Sequence, residues 1–356
     1  MKKILLLSVL ALAATFAISA QEPTTEAKKQ YKAYGVAFYN LENLLDTIAN
    51  NPLERDLEFT PRGARGWDTH KYSCKLHNLA RAISNFKTDL TPNGPAIIGI
   101  SEIENRTVVQ DLINQPELKD WHLQIAEYHD SPDRRGVDVG LIYNPRYFRV
   151  LSVNNHTLFI ESNPDLRTRD QMCVTGVLGG TDTISVIVNH WPSRLGGEEQ
   201  SSYLREAAGA LSRHIADSVM RLYPNSGVIM MGDLNDDPQN KSCAVAFGAR
   251  RSIEEVEQGG FYNPFWKMLD RGIGTLAYRG GWNLFDQIIV SDYFINDPTR
   301  AKRLQLLKPI VMNFDFLKDS EGQRAGYPLR THSGGVWMNG YSDHFPTQIL
   351  LVREAK

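Results

Sequence analysis

Six short stretches of the sequence carry acidic, amide or histidine side chains where predicted strands begin or end. They span residues 38–43, 100–104, 188–194, 231–235, 282–290 and 340–346. Strand ends are the positions at which a sheet presents functional loops. The last stretch places Asp343 directly before His344. Such a pair alone is typical of a solvated turn, so its meaning depends on the partners that the other stretches supply.

Side-chain oxygens predominate in these stretches. Asn40 and Glu42 are two residues apart, and therefore face the same side of an extended segment. Glu102 follows an apolar run, where a carboxylate is costly unless it is paired or binds a cation; a nearby helix start at residue 107 is the alternative explanation. Hard oxygen ligands of this kind suit Mg²⁺ or Mn²⁺. The candidate ligands are Asn40, Glu42, Glu102, Asp233, Asn235 and Asp343.

Two histidines accompany these acids. His190 ends a β-branched strand and His344 precedes the last apolar run, and both can transfer protons near neutral pH. Asp286, an acid at the start of an apolar strand, can orient one of them. Each histidine taken alone is more often structural. A metal and two histidines, with no serine or cysteine nucleophile, indicate attack by metal-activated water on a phosphoester.

Composition is that of a soluble globular protein. The chain has 356 residues, 42% hydrophobic and 22% charged, with a formal net charge of −2. This balance lacks the basic footprint of a tight, non-catalytic DNA-binding protein. It does not exclude an enzyme that binds phosphodiesters through a metal and a few arginines.

The first 20 residues are predicted to be a signal peptide. Lys2 and Lys3 precede an apolar run, residues 4–18, and Ser19 and Ala20 supply small residues for cleavage. The run is too short to span a bilayer comfortably. We therefore expect export to the periplasm or the extracellular medium, without a stable membrane anchor.

The rest of the chain alternates strand and helix patterns. Residues 21–33 are predicted to be a flexible leader, and residues 34–356 a single domain. Helices are predicted at 70–86 and 201–222, and strands at 34–40, 96–100, 121–127, 137–143, 150–160, 171–178, 183–189, 227–231, 284–290 and 347–352. Many strands and few helices predict an α/β sandwich with mixed sheets. Three cysteines, Cys74, Cys173 and Cys243, form no zinc pattern, and whether any of them pair is left open.

Taken in order, the motifs resemble those of the endonuclease/exonuclease/phosphatase superfamily over residues 34–352. They are Asn40, Ser101-Glu102, Asn189-His190, Gly232-Asp233-Leu234-Asn235, Asp286 before Ile288-Ile289-Val290, and Ser342-Asp343-His344. The resemblance implies a DNase-like, four-layer α/β/β/α sandwich with two mixed β-sheets. Residues 58–61 and 135–139 are similar to a secreted bacterial branch of that superfamily.

The resemblance also implies a ligand set. Glu102 would be the principal ligand of a Mg²⁺ ion, supported by Asn40 and Glu42, with Asp343 as a second acid at the metal. Asp233 would hold the metal or orient the attacking water. Mn²⁺ and Ca²⁺ are the alternative ions.

The remaining roles concern the phosphate. The resemblance implies that Asn235 and Arg169 bind it, that Asp286 holds His344, and that His190 stabilises the transition state or protonates the leaving oxygen. For Arg169 a surface salt bridge is the alternative.

The substrate is less well specified. Residues 283–287 depart from the pattern of inositol polyphosphate 5-phosphatases, which disfavours an inositide. Trp191 and Trp282 are candidate substrate contacts, although the aromatic and basic stretch 278–282 can equally pack on its own loop. The leading hypothesis is a secreted, monomeric, Mg²⁺-dependent phosphodiesterase or endonuclease acting on nucleic acid. The alternatives are a phosphatase or phospholipase-C-like enzyme for a small phosphoester, and a non-catalytic binding protein.

Overall fold

The computed structural model describes residues 30–49, 57–278, 280–295 and 303–355. The predicted signal peptide and residues 21–29 of the predicted leader lie outside them. Strand β1 begins at Tyr31, within the predicted leader, because Tyr31 pairs with Glu354 of the last strand.

Seventeen strands are assigned to the described residues. Their bounds are β1 Tyr31–Leu44, β2 Ile97–Ile103, β3 Gln124–Ile125, β4 Asp138–Tyr143, β5 Phe148–His156, β6 Gln171–Leu178, β7 Asp182–His190, β8 Gly227–Asp233, β9 Ala249–Arg250, β10 Phe261–Tyr262, β11 Leu276–Tyr278, β12 Gly281–Asn283, β13 Asp286–Ser291, β14 Gln305–Val311, β15 His332–Ser333, β16 Val336–Trp337 and β17 Thr347–Glu354.

Helices are fewer. The α-helices are α1 Thr69–Ser84, α2 Arg106–Ile113, α3 Pro116–Lys119, α4 Ser202–Leu222 and α5 Trp266–Leu269. One π-helix spans Ser242–Phe247, and 3-10 turns lie at Ile253–Glu255, Asp292–Phe294, Asp315–Leu317 and Gly322–Arg324. Asp68 begins α1 by accepting a hydrogen bond from the Lys71 amide, and Asn105 begins α2 in the same way. The predicted helix start near residue 107 therefore exists, but Asn105 caps it, which leaves Glu102 for another purpose.

The strands form two large mixed sheets. The first has the order β14-β17-β1-β2-β4-β3, and the second β5-β6-β7-β8-β13-β10-β9. In the first sheet β1 runs parallel to β2 and antiparallel to β17; in the second, β7 runs parallel to β8 and antiparallel to β6. The mixed α/β architecture predicted from the sequence is confirmed.

Strand β8 shows how the layers are built. All seven of its residues are buried. Successive side chains of a strand point to opposite faces, and both faces of β8 are covered. Ile229 and Met231 join the apolar core between the two sheets, whereas Val228 and Met230 join the core beneath α4. Helix α1 covers the other sheet with the buried stripe that includes Leu79 and Ile83. The layers are therefore helix, sheet, sheet and helix.

The topology brings the six polar stretches to one end of the sandwich. The parallel strands β1 and β2 end there, as do β7 and β8. Strands β13 and β17 run antiparallel to β8 and β1, so they begin at that end. Each polar stretch of the sequence therefore lies at the same end of the sandwich.

Several elements differ from the prediction. The strand expected at 121–127 is reduced to the two residues of β3 at the sheet edge. The short strands β9 to β12, β15 and β16 are not among the predicted strands. Neither is β14, which contains Pro309; it lies at the other edge of that sheet, where a proline is tolerated. Cys74, Cys173 and Cys243 are all free thiols.

Within the described part of the chain, no helix has the length and apolarity needed to cross a membrane.

Candidate active site

Glu102 lies at the end of β2 in a left-handed backbone conformation, with φ of 60°. This conformation is costly for a residue other than glycine and clusters at functional sites. It coincides with an irregularity in the pairing of β2 with β4. The carboxylate accepts hydrogen bonds of 2.9 Å from Arg135 Nη2 and from the Asn43 amide. Burial opposes ionisation, but the Arg135 guanidinium holds the pKa of Glu102 well below its usual range, so this carboxylate is an anion.

Asp233 ends β8 between two functional neighbours. It is paired across the sheet with His190 on one side and Asp286 on the other. Its Oδ2 accepts a 3.0 Å hydrogen bond from Asn40 Nδ2 of the first sheet. Burial and repulsion from Asp286 raise the pKa of Asp233 to about 6, although the positive charge of His344 opposes this shift.

His344 and Asp286 form the pair predicted from the sequence. His344 Nδ1 lies 2.7 Å from Oδ2 of the fully buried Asp286. Its Nε2 lies 3.8 Å from Asp233 Oδ2 and 3.9 Å from Asp343 Oδ1. Burial disfavours the imidazolium, but the carboxylates of Asp286 and Asp233 outweigh it and raise the pKa of His344 well above its ordinary value. His344 is therefore a cation at neutral pH.

His190 is the opposite case. Its Nε2 lies 3.5 Å from Asp233 Oδ2 and 3.9 Å from Glu102 Oε1. These carboxylates favour the imidazolium, yet burial and the Arg169 guanidinium lower the pKa of His190 well below its ordinary value. The desolvation of a side chain 4% exposed decides the balance, so His190 is neutral beside a charged His344.

The loop after β8 places Asn235 beside these groups. Gly232 allows it, since a Cβ at that position would lie 2.2 Å from the Asn189 carbonyl oxygen of β7. Asn235 has φ of 50°, and its amide donates a 3.0 Å hydrogen bond to Asp233 Oδ1. Its side-chain Nδ2 donates to the Trp191 carbonyl at 3.0 Å.

Glu42 and Asp343 lie on the other side of the site. The Glu42 carboxylate accepts a 2.6 Å hydrogen bond from the Thr331 amide, and Asp343 pairs with Arg330 at 3.1 Å. Burial, and then repulsion from Asp343, raises the pKa of Glu42 to about 7. Lys75, buried in α1, opposes this with its positive charge.

The raised pKa values of Glu42 and Asp233 are the structural argument for a metal. Repulsion from the half-buried Asp343 contributes to the shift at Glu42, and repulsion from Asp286 and Glu102 contributes to the shift at Asp233. A divalent cation among these acids would relieve that repulsion. Ligand atoms of Asp233, Asp286 and His344 lie within 4.8 Å of one another and could hold an ion. A protonated His344 cannot act as a ligand, so we consider the anionic Glu102 the better anchor for the ion.

Three predicted substrate contacts have other surroundings. The Arg169 guanidinium is 6% exposed and bonds to Asp133 and to the carbonyl oxygens of His190 and Trp191. These bonds hold the end of β7, where His190 lies, against Asp133. Trp191 is 1% exposed and belongs to the core beneath α4. Trp282 packs against Phe345 and Tyr327.

Three cationic residues near the site were not predicted as site residues. Arg135 contacts Glu102, Lys75 donates to Thr331 Oγ1 and the Tyr341 carbonyl, and Arg330 contacts Asp343. Arg135 stands in a stretch that resembles the family, which could have indicated it. Lys75 has no such signal, because only the fold brings α1 against the loop before β17.

A family model described as the endonuclease/exonuclease/phosphatase family matches residues 35–353. The chain belongs to this family. The predicted resemblance is therefore confirmed, and the protein is assigned to the phosphoester hydrolases that the family name describes. No curated protein matches the chain in sequence.

Solved structures share this fold. ANGEL2, described as a 2′,3′-cyclic phosphatase, has 15% identity and a TM-score of 0.58, and the match covers 93% of this chain and 100% of ANGEL2. TDP2 from D. rerio, in complex with a single-strand DNA product, has 11% identity and a TM-score of 0.55, covering 90% and 98%. A family member from Bacteroides thetaiotaomicron has 15% identity and a TM-score of 0.53, covering 92% and 100%. At these identities the likeness establishes the fold.

Proposed function

We propose that this member of the family is an exported, Mg²⁺-dependent phosphodiesterase that cleaves nucleic acid. The observation that carries the proposal is the contrast between a neutral His190 and a cationic His344 on either side of Asp233. One imidazole can accept a hydrogen bond or a proton while the other donates one. Groups with pKa values pushed apart by their surroundings are the usual signature of acid–base catalysis.

The acid–base roles follow from these positions. His344, held by Asp286, donates from Nε2 to a phosphate oxygen and stabilises the charge that develops there. Asp233, with its pKa near 6, accepts a hydrogen bond from the attacking water and orients it. His190 stays neutral and directs Nε2 at the same space.

A bound Mg²⁺ would be held by Glu102, with Asn40, Glu42, Asp233 and Asp343 as the candidate further ligands, and would supply Lewis-acid polarisation of the phosphate. Arg135 keeps Glu102 ionised and in place. The side-chain amide of Asn235 donates one N–H to the Trp191 carbonyl, and its second N–H would donate to the phosphate. Arg169 holds the main chain of His190 and Trp191 in place through hydrogen bonds to their carbonyl oxygens.

Nucleic acid is proposed as substrate for two reasons. One protein with this fold, TDP2 from D. rerio, has a structure in complex with a single-strand DNA product. The family name also puts nucleases beside phosphatases. We propose that it acts as a monomer.

The second candidate function is hydrolysis of a small phosphoester, as by a phosphatase or a phospholipase-C-like enzyme. The net charge of −2 favours it, as does the shared fold of ANGEL2, which is a 2′,3′-cyclic phosphatase. Both functions would use the same catalytic groups.

A parallel assay separates the two. Residues 21–356 are incubated with plasmid DNA, RNA, bis-p-nitrophenyl phosphate and p-nitrophenyl phosphate, with Mg²⁺ and with EDTA, beside His190→Ala. Mg²⁺-dependent cleavage of DNA or RNA that the variant lacks supports the nuclease. Activity on the small esters alone assigns the second function, and no metal-dependent activity in a folded sample rejects both.

Export is tested separately. The full chain is expressed with its own residues 1–20, and the cell fractions are compared by mass spectrometry of the N-terminus. A protein that starts at Gln21 outside the cytoplasm supports export. Retention of Met1 in the cytoplasmic fraction rejects it.

A further inference from the structure

A cavity of about 610 Å³ opens next to the catalytic groups. Its walls come from the loop that follows His190 and from the residues just before Asp286. Arg194 connects the cavity to the site, because its Nε donates a 2.9 Å hydrogen bond to the Asn235 carbonyl. A group bound in the cavity would therefore adjoin a phosphate placed near Asn235.

The wall of the cavity is apolar and aromatic. Leu195, Leu276, Tyr278 and Phe285 contribute to it. Leu195 is 87% exposed and Tyr278 62% exposed, so both side chains present apolar surface that a ligand could cover. The two come from different loops, one after β7 and one in the β11–β12 hairpin, and both line this single cavity.

The cavity offers little charge to an anion. Arg194 lies 2.8 Å from Glu198, 3.2 Å from Asp236 and 3.6 Å from Asp237, so acidic partners neutralise it. Its guanidinium also stacks 4.6 Å from the centre of the Phe285 ring. A flat, uncharged group therefore fits this apolar and aromatic lining better than a second phosphate.

We propose that this cavity is a nucleobase subsite that receives one of the bases flanking the scissile phosphate. The proposal deepens the proposed function and rests on it. The volume lies in the range of small-ligand pockets, roughly 300–1,000 Å³. Stacking on aromatic side chains tolerates any base, because every base has a π-face. A substrate that places its phosphate at Asn235 and a base between Leu195 and Tyr278 would use both features of the structure.

The test uses substrates that differ only in a base. The dinucleotide TpT is compared with two analogues, in each of which an abasic tetrahydrofuran unit replaces one of the two thymidines. Products are quantified by chromatography. We expect one analogue to lose roughly tenfold to hundredfold in kcat/KM, the scale of a lost stacking interaction. Equal kcat/KM for all three substrates would overturn the proposal.

Variants then tie the preference to the cavity. Tyr278→Ala with Leu195→Ala should lower kcat/KM for TpT to about that of the affected abasic analogue, and should not lower the analogue further. Tyr278→Trp should retain the preference. Tyr31→Ala, which removes another exposed tyrosine at the far end of β1, serves as the control. If the double variant lowers kcat/KM equally for every substrate, the cavity does not bind the base.

Binding provides a readout independent of catalysis. Ligand-observed NMR compares thymidine 5′-monophosphate with 2-deoxyribose 5-phosphate, without metal, on the wild type and on Tyr278→Ala. Tighter binding of the nucleotide, weakened about tenfold by the variant, supports the subsite even if TpT is not cleaved. Equal binding of the two ligands rejects the subsite, whether or not the hydrolase assignment stands.

Discussion

The side-chain amide of Asn40 donates a 3.0 Å hydrogen bond to Oδ2 of Asp233, and so joins the first sheet to the second at the site. The two residues are 193 positions apart in the chain. Asn40 also accepts a hydrogen bond from the Glu42 amide. One buried amide thereby couples the relative position of the sheets to the position of the catalytic acids.

Asn40→Leu should therefore impair both stability and turnover. The substitution leaves the buried Asp233 without this donor, and we expect a loss of about 1–3 kcal/mol in the free energy of unfolding. Because Asp233 loses its orientation, kcat should fall more than tenfold, on the scale of misplaced catalytic groups. Urea unfolding and steady-state kinetics measure the two effects, and an unchanged kcat would separate Asn40 from catalysis.

Asp286→Asn should change the pH profile. Removing the main charge that raises the pKa of His344 lets that pKa fall, so the active imidazolium is lost as pH rises through a range in which the wild type keeps it. We expect kcat to fall about 100-fold at neutral pH, and less at acidic pH. Asp217→Asn, at a residue paired with Arg213 on α4, is the control. Parallel pH profiles of wild type and Asp286→Asn would contradict the role of the pair.

Glu102→Gln tests the metal anchor. The neutral amide removes the anionic ligand, so the Mg²⁺ concentration for half-maximal activity should rise at least tenfold. Mn²⁺ binding by calorimetry should weaken in parallel, which separates ligation from catalysis. Glu199→Gln, at an exposed residue, serves as the control. An unchanged binding isotherm would exclude Glu102 as a ligand.

Arg169→Met distinguishes a structural from a substrate-binding arginine. Asp133 would be left buried without its partner, and we expect a loss of about 3–5 kcal/mol in the free energy of unfolding. Urea denaturation measures this directly. A stable variant with a raised KM for phosphodiesters would instead restore the phosphate-binding role that the family resemblance implied.

Asp138, which pairs with Ile103 next to Glu102, gives a pH dependence of stability. Burial raises the pKa of Asp138 to about 6, although hydrogen bonds from Ser131 and Tyr128 oppose the shift. The folded state binds this proton more tightly than the unfolded chain does. The associated stabilisation is thus complete below about pH 4 and is lost as pH rises through 6.

Asp138→Asn should abolish that part of the pH dependence. Between pH 4 and 6 the wild type should lose up to about 3 kcal/mol of unfolding free energy relative to the variant. Chemical denaturation of both proteins at several pH values measures the difference. A constant difference across this window would mean that the pKa of Asp138 is the same in the folded and unfolded states.

The positions of Glu102, His190 and Asp233 at strand ends could be inferred from the sequence, and the pairing of His344 with Asp286 followed from the family resemblance. Alternation and apolar runs locate strands, and a polar residue at the end of a buried strand requires a partner. The six motifs together also indicated the family. These signals are local, so they can be recognised in the sequence without a three-dimensional structure.

Short edge strands and long-range contacts could not be inferred. Strand β14 carries a proline and gains its pairing only from β17. Arg169 and Trp191 have residue types suited to a substrate contact, and only packing shows that both are buried. Burial is a property of what the rest of the chain places around a residue, and local sequence does not report it.

By itself, therefore, the sequence determined which residues can do the chemistry and which strands carry them. Tertiary structure decided their charge states and their partners. His190 and His344 are chemically identical, yet burial beside Arg169 makes one neutral and two carboxylates make the other a cation. The cavity between Leu195 and Tyr278 likewise exists only because two distant loops meet. Electrostatic energies depend on distance and desolvation, and both are set when the two sheets pack together.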